Sequence, residues 1–400
     1  MRPIVRGSII LLVGFGLFNF LNFIYQSVMA RFLSIADYGI LAALGAIIYI
    51  FTIFSESIQT VIAKYTVSSP EDGQLKSLLI KSLKKSSYFA TIAFIIYLLI
   101  SIVLSSILKI PYLLLALNGI LLYTMFMLPV TRGALQGRKK FTALSSNLVI
   151  ESASKLILGI VFVLIGWKVY GAIGGFLIGA FVGVIVSFIP LKSVFQSKEK
   201  PPTAVNIYSY ALPTMYVTAV IVIFSSIDVL VAQFLFDFQT AGAYSIASIL
   251  GKIVLWISVP IGKAMFPLSV ESGEQPLKNK KIFKTAFGLI SLIIIGVILF
   301  FALFTSEIIY IFSGNIIPQA IEILPYLTIA FGLIALTNVI LLYKLSLGKV
   351  KGYSWLIIFN IIEIALFFLP NTIMEFTLVF LISSIIFFIG SIFAMNNKSR

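Results

Sequence analysis

Apolar residues run through this chain in long, nearly unbroken stretches separated by short polar ones. A stretch of about 20 apolar residues crosses the hydrocarbon core of a bilayer as a helix. Twelve such stretches are read along the chain, at 8–30, 38–62, 86–108, 111–131, 145–166, 169–191, 207–231, 241–265, 284–305, 318–343, 353–369 and 373–395. They are continuously apolar and do not alternate at every second position, which predicts helices rather than the strands of a barrel. The expected fold is an all-α polytopic membrane protein of about twelve transmembrane helices.

The pattern is written twice. The turn ARFLSIADYG (Ala30–Gly39) has an echo in AQFLFDFQTAG (Ala232–Gly242). LQGRKKF (Leu135–Phe141) has one in LGKVKGY (Leu347–Tyr353), and NLVIE (Asn147–Glu151) one in NIIE (Asn360–Glu363). The pairs keep their order and lie about 200 to 213 residues apart, which predicts two six-helix halves of parallel topology related by an axis along the membrane normal. The expected boundaries are 1–195 for the first bundle, 196–206 for a cytoplasmic linker marked by Pro201-Pro202, and 207–400 for the second bundle.

Composition narrows the chemistry. With 60% hydrophobic residues, 11% charged and a mean hydropathy of +1.11, the chain lies far outside the soluble range. Cysteine and histidine are absent. Disulfides, thiol nucleophiles, haem ligation and the common zinc sites are thereby excluded, and no catalytic residue, metal or cofactor is expected. No GxxxxGK[ST] run provides for ATP. Of 29 Lys and Arg, 24 fall in the termini and alternate connections, so the net charge of +15 reads as the positive-inside rule and not as nucleic-acid binding. Both termini are expected in the cytoplasm, at the cell membrane. Arg2 and Arg6 precede a run too long for a signal peptide, so the first helix is expected to be retained.

Ionisable groups at bilayer depth cost about 2.5–3.5 kcal/mol each and normally face water or a partner. Six fall inside the runs: Glu56, Glu151, Lys155, Asp228, Lys252 and Glu363. Glu151 and Lys155 are four apart in the favourable acid-first order. They form either a self-neutralising pair or a pair whose lysine lines a cavity. Glu363 sits in the repeat position of Glu151 but has Phe367 where the lysine would be. Lys252 has no acid within a helical turn, so it faces water in a cavity or an acid on another helix, such as Asp228. Glu56 either snorkels to the surface or serves a coupling ion or proton. Arg31 lies at the outer end of the first helix, within reach of headgroups.

Pro129, Pro213, Pro260 and Pro325 each remove a helical hydrogen bond and are candidate hinges. Gly171, Gly175, Gly179 and Gly183 recur every four residues and predict a close-packing seam.

Two six-helix halves, the ARFLSIADYG turn, a basic second loop and GALQGRKKF after the fourth span together resemble the polysaccharide transporter (Wzx-like) family of lipid-linked oligosaccharide flippases. That family belongs to the superfamily of multidrug and toxic compound extruders and lipid II flippases. The resemblance covers essentially the whole chain. It implies a V-shaped pair of bundles around a central cavity that opens to either side in turn and carries a polyprenyl-(pyro)phosphate-linked glycan across the membrane. In such a protein Lys252, with Arg31 and Lys155, would attract the phosphate of the carrier lipid. Glu56, Asp228, Glu151 and Glu363 would be coupling or ion-pair residues. Membrane lipids, and glycosyltransferases or a polymerase of the same pathway, would be partners. The alternative is a cation-coupled multidrug or metabolite extruder of the same fold, although internal lysines favour an anionic cargo. A membrane glycosyltransferase would need a sizeable outer loop or an interfacial cluster of acids, and the chain has neither.

Overall fold

The computed structural model describes residues 3–67, 69, 71–201, 211–271, 276–347 and 356–396. The end of the expected linker, the start of the seventh run and the repeat segment after Leu347 lie outside them. Every regular element among the described residues is helical. The helices are α1 (Pro3–Phe32), α2 (Ile35–Ile50), α3 (Thr52–Val67), α4 (Asp72–Leu108), α5 (Tyr112–Gly137), α6 (Phe141–Phe162), α7 (Lys168–Phe188) and α8 (Lys192–Gln196). They continue with α9 (Ala211–Phe224), α10 (Ile227–Leu235), α11 (Phe238–Glu271), α12 (Pro276–Leu303), α13 (Thr305–Ser313), α14 (Pro318–Ser346), α15 (Leu356–Leu366) and α16 (Ile373–Asn396).

Among the described residues, ten helical stretches are long and apolar enough to cross a membrane. The difference from twelve has two sources. The fifth and sixth runs are joined without a gap through a π-type turn at Val163–Trp167. There Gly166, at φ 100°, takes the left-handed conformation that a side chain disfavours. The eleventh run is represented by α15, 11 residues long in its described part.

The chain divides into two compact units. One comprises Met1–Asp37 and Ile47–Met215, the other Tyr38–Ala46 and Tyr216–Arg400.

In the first unit the glycine seam sets the spacing of α6 and α7. A Cβ at Gly175 would fall 2.3 Å from the backbone N of Gly159, and one at Gly179 would fall 2.6 Å from that of Lys155. Helices can approach this closely only where side chains are missing, and the approach carries α6 residues Glu151 and Lys155 into the interior. The turn after α5 is tied down by Lys140 Nζ donating to Pro190 O at 2.7 Å.

In the second unit, the start of α2 packs with α11 and α13. Tyr38 is fully buried and edge-on to Phe312 at 6.4 Å. Gly39 abuts Gly242, with 2.9 Å between the place of its missing Cβ and the Gly242 Cα. A phenylalanine cluster fills the core around α16, with Phe367 stacked on Phe376 and Phe224 on Phe387, each at 4.5 Å.

Candidate functional site

Among the described residues, each unit holds a buried group of charged and polar side chains in its membrane-spanning part. In the first unit Lys155 is 8% exposed. Its Nζ donates to Asn22 Oδ1 at 2.9 Å and lies 4.2 Å from the ring centre of Tyr25 and 4.0 Å from that of Phe176. A desolvated ammonium between two ring faces is attracted by both quadrupoles. Tyr25 is fixed in turn, its hydroxyl donating to Ala172 O at 2.9 Å. Glu151, one turn before Lys155, is taken by another cation. Arg132 on α5 pairs with it through Nη2 and donates from Nε to Asn147 Oδ1 at 2.8 Å. Asn147 passes the chain of bonds on to Gly183 O at 2.7 Å. Glu151 and Arg132 therefore neutralise each other, and Lys155 is left with an amide oxygen and two rings.

In the second unit Asp228 is fully buried in the first turn of α10, where the helix dipole favours a carboxylate. It is there because the preceding helix stops at Ser225-Ser226, both buried. Three residues on one face of α11, spaced four apart, converge on it. Tyr244 donates to Oδ2 at 3.2 Å, Ser248 to Oδ2 at 2.7 Å, and Lys252 Nζ to Oδ1 at 3.2 Å. Lys252 also stands 5.2 Å from the Phe331 ring centre. Glu363 on α15 is likewise fully buried, and neither carboxyl oxygen has a hydrogen-bond partner among the described residues. It belongs to the same unit as Asp228. One turn back, Asn360 Oδ1 has no hydrogen-bond partner among the described residues, while Nδ2 points to Val220 O at 3.5 Å.

The structure thus brings Asp228 and Lys252 together, buries Glu363 in the same unit, and places Lys155 beside Asn22 and Tyr25. Glu56 and Arg31 are exposed, on α3 and in the last turn of α1. Pro129 and Pro325 sit inside α5 and α14, Pro260 inside α11 and Pro213 in the first turn of α9, all without ending their helices. Among the described residues, spans are also interrupted at Phe51, between α2 and α3, and at Ser225-Ser226.

Arg132, Asn22, Tyr25, Phe176, Tyr244 and Ser248 were not singled out in the sequence. Tyr244 and Ser248 could have been, because they share the four-residue spacing of Lys252. Gln233, the echo of Arg31, is 3% exposed with both amide atoms unbonded among the described residues.

No curated protein sequence matches the chain significantly. Among solved structures it resembles an inward-facing multidrug resistance MATE family transporter of the MOP superfamily, at 15% identity with a TM-score of 0.76 over 96% of each chain. It also resembles the lipid II flippase MurJ in an inward closed conformation, at 14% identity with a TM-score of 0.75 over 97% of this chain and 88% of that one. An outward-facing MATE family transporter follows at 16% identity and a TM-score of 0.68, covering 99% of this chain and 96% of the other. At such identities the likeness establishes the fold. The family model for polysaccharide biosynthesis proteins matches residues 4–273, well over half of the length, and the chain belongs to that family.

Proposed function

We propose that the protein flips a polyprenyl-(pyro)phosphate-linked saccharide across the cytoplasmic membrane by alternating access, with both termini in the cytoplasm and two six-helix halves as the moving parts. The reading is transport, not catalysis. Glycosyltransferases or a polymerase of the same pathway would supply and consume the cargo.

The observation that carries the reading is the opposite charge surplus of the two buried groups. With Arg132 and Glu151 paired, the first unit retains the positive charge of Lys155. With Lys252 and Asp228 paired, the second retains the carboxyl of Glu363. An uncompensated charge in a low-dielectric interior costs several kcal/mol, on the order of 3–5. The first surplus invites an anion such as the carrier phosphate, and the second must be neutralised by a proton or a monovalent cation. One anionic head and one coupling cation would therefore serve one cycle. Two buried groups of opposite surplus fit an ion-coupled carrier of anionic cargo better than an extruder of organic cations.

The test is flipping of a fluorescent short-chain polyprenyl-pyrophosphate saccharide in proteoliposomes. Lys155→Met should abolish flipping. Glu363→Gln should remove its dependence on proton and sodium gradients. Full activity of Lys155→Met, or an unchanged gradient dependence of Glu363→Gln, would refute the assignment.

A further inference from the structure

The start of α12 carries four lysines, Lys278, Lys280, Lys281 and Lys284, all exposed, and the helix contains no acidic residue. None of the four makes an ion pair among the described residues. Like charges three and four apart on a helix repel, and positive charge at the N-terminal end opposes the helix dipole.

The lysines also share one place. Lys280, Lys281 and Lys284, with Leu277 and Thr285, line an open cleft of about 350 Å³. The helix is anchored on its flank by Phe283, stacked on Tyr343 of α14 at 4.5 Å, while the lysines stay exposed. Beyond the cleft the same helical face continues through Gly288, where a Cβ would meet nothing within 4 Å. It goes on through Leu292, Ile295 and Leu299, which are 69%, 55% and 58% exposed. Three ammonium groups are therefore followed by a gap and an aliphatic track. From Lys284 to Leu299 the track rises about 22 Å, more than the roughly 15 Å half-thickness of a bilayer core.

The counterpart helix α4 sharpens the point. Residues 81–90 and 281–290 share the same sequence of exposed and buried positions, with Lys81 and Lys84 standing where Lys281 and Lys284 stand. Lys81 and Lys84 make no ion pair among the described residues, but acids at the start of α4 are engaged by cations from elsewhere in the first unit. Glu71 pairs with Lys200 and Asp72 with Arg138, the latter at 2.9 Å. The first turn of α12 itself carries no acid.

We infer that the α12 face is a binding site for one anionic phospholipid, its phosphate held in the cleft by Lys280, Lys281 and Lys284 and one acyl chain lying along Gly288, Leu292, Ile295 and Leu299. Charge complementarity selects an anionic headgroup, and continuity of the cleft with the aliphatic track selects a lipid over a free ion.

The experiment is native mass spectrometry of the purified full-length protein with added phosphatidylglycerol or phosphatidylcholine. One phosphatidylglycerol should be retained and phosphatidylcholine should not. At about 1 kcal/mol per lysine near an anionic headgroup, Lys280→Gln/Lys281→Gln/Lys284→Gln should weaken retention by about a hundredfold. Gly288→Leu, in open space and therefore tolerated by the fold, should weaken it with the lysines intact. The inference is overturned by undiminished retention in either variant or by equal loss from Lys81→Gln/Lys84→Gln. It is also overturned if millimolar inorganic phosphate displaces the lipid, which would make this a free-anion site, or if a polyprenyl phosphate is preferred over phosphatidylglycerol, which would make it a cargo site.

Discussion

Lys252 reaches Asp228 across 3.2 Å at a place where Asp228 has no exposed surface. Such a pair is costly to form and far costlier to halve, because removing one partner leaves a buried charge alone, at about 3–5 kcal/mol. Lys252→Met should therefore lower stability by about 3 kcal/mol, while the double variant Asp228→Asn/Lys252→Met should recover most of that loss. Thermal unfolding in detergent of the two single variants and the double closes the cycle. Additive losses would mean that the two groups are not coupled. The sequence offered two explanations for Lys252, water or Asp228, since no acid lay within a helical turn. For Lys155 it offered Glu151, and there proximity misleads. Glu151 goes to Arg132, which the hydropathy pattern assigned to a cytoplasmic connection because the apolar run stops at 131 while α5 continues to Gly137. Run lengths mark where lipid contact ends, not where a helix ends.

At the scale of elements, helix identity was legible and helix interruption was not. The glycine spacing on α7 announced its close contact with α6, because a four-residue period of missing side chains has one geometric use. The four prolines read as hinge candidates lie within helices, as membrane helices allow when neighbouring groups take up the freed carbonyls. Breaks among the described residues lie at Phe51 and at Ser225-Ser226, where Thr52 bonds Tyr49 O at 2.6 Å and Ser225 bonds Val222 O at 3.3 Å. Hydroxyls that return to the backbone compete with the helical ladder, a weaker signal than proline in a sequence full of serine. The echoed turn yields a prediction of its own. Asp237 caps α11, its carboxylate accepting from the N–H groups of Gln239 at 2.9 Å and Thr240 at 3.1 Å. The Thr240 hydroxyl and these N–H groups hold its pKa below the ordinary aspartate value. A depressed folded pKa stabilises above the unfolded value, near 4, and loses that stabilisation as pH falls through the folded value. Asp237→Ala should cost about 1 kcal/mol at pH 7, a deficit that shrinks below pH about 4, whereas Asp237→Asn should keep the cap without the pH dependence. Melting temperatures of the three proteins from pH 7 to pH 3 decide it.

For the whole molecule, repetition explains the frame and departure from repetition explains the chemistry. Glu151 and Glu363 occupy equivalent places, but the first has Arg132 within bonding distance and the second has no hydrogen-bond partner among the described residues. Lys155 has Phe367 as its counterpart, and Phe367 is fully buried in a cluster of rings. On the proposed reading, two copies of one design carry opposite charge surpluses, which no count of total charge reveals, since the net of +15 is set almost entirely by the loops. If the surpluses belong to separate ligands, each should be removable without the other. A short-chain polyprenyl pyrophosphate should raise the melting temperature of the parent protein and of Glu363→Gln, but not that of Lys155→Met, because ligand stabilisation follows the affinity of the site that binds it. Added sodium or lowered pH should stabilise the parent and Lys155→Met, but not Glu363→Gln. A ligand at a hundred times its Kd contributes about 2.7 kcal/mol, ample for a resolvable shift in a chain of this length. If Lys155→Met loses both responses, the lysine is a structural support for the fold and the anion must bind elsewhere. If Glu363→Gln keeps its cation response, the unpaired carboxyl is not the coupling group, and the search moves to Asp228.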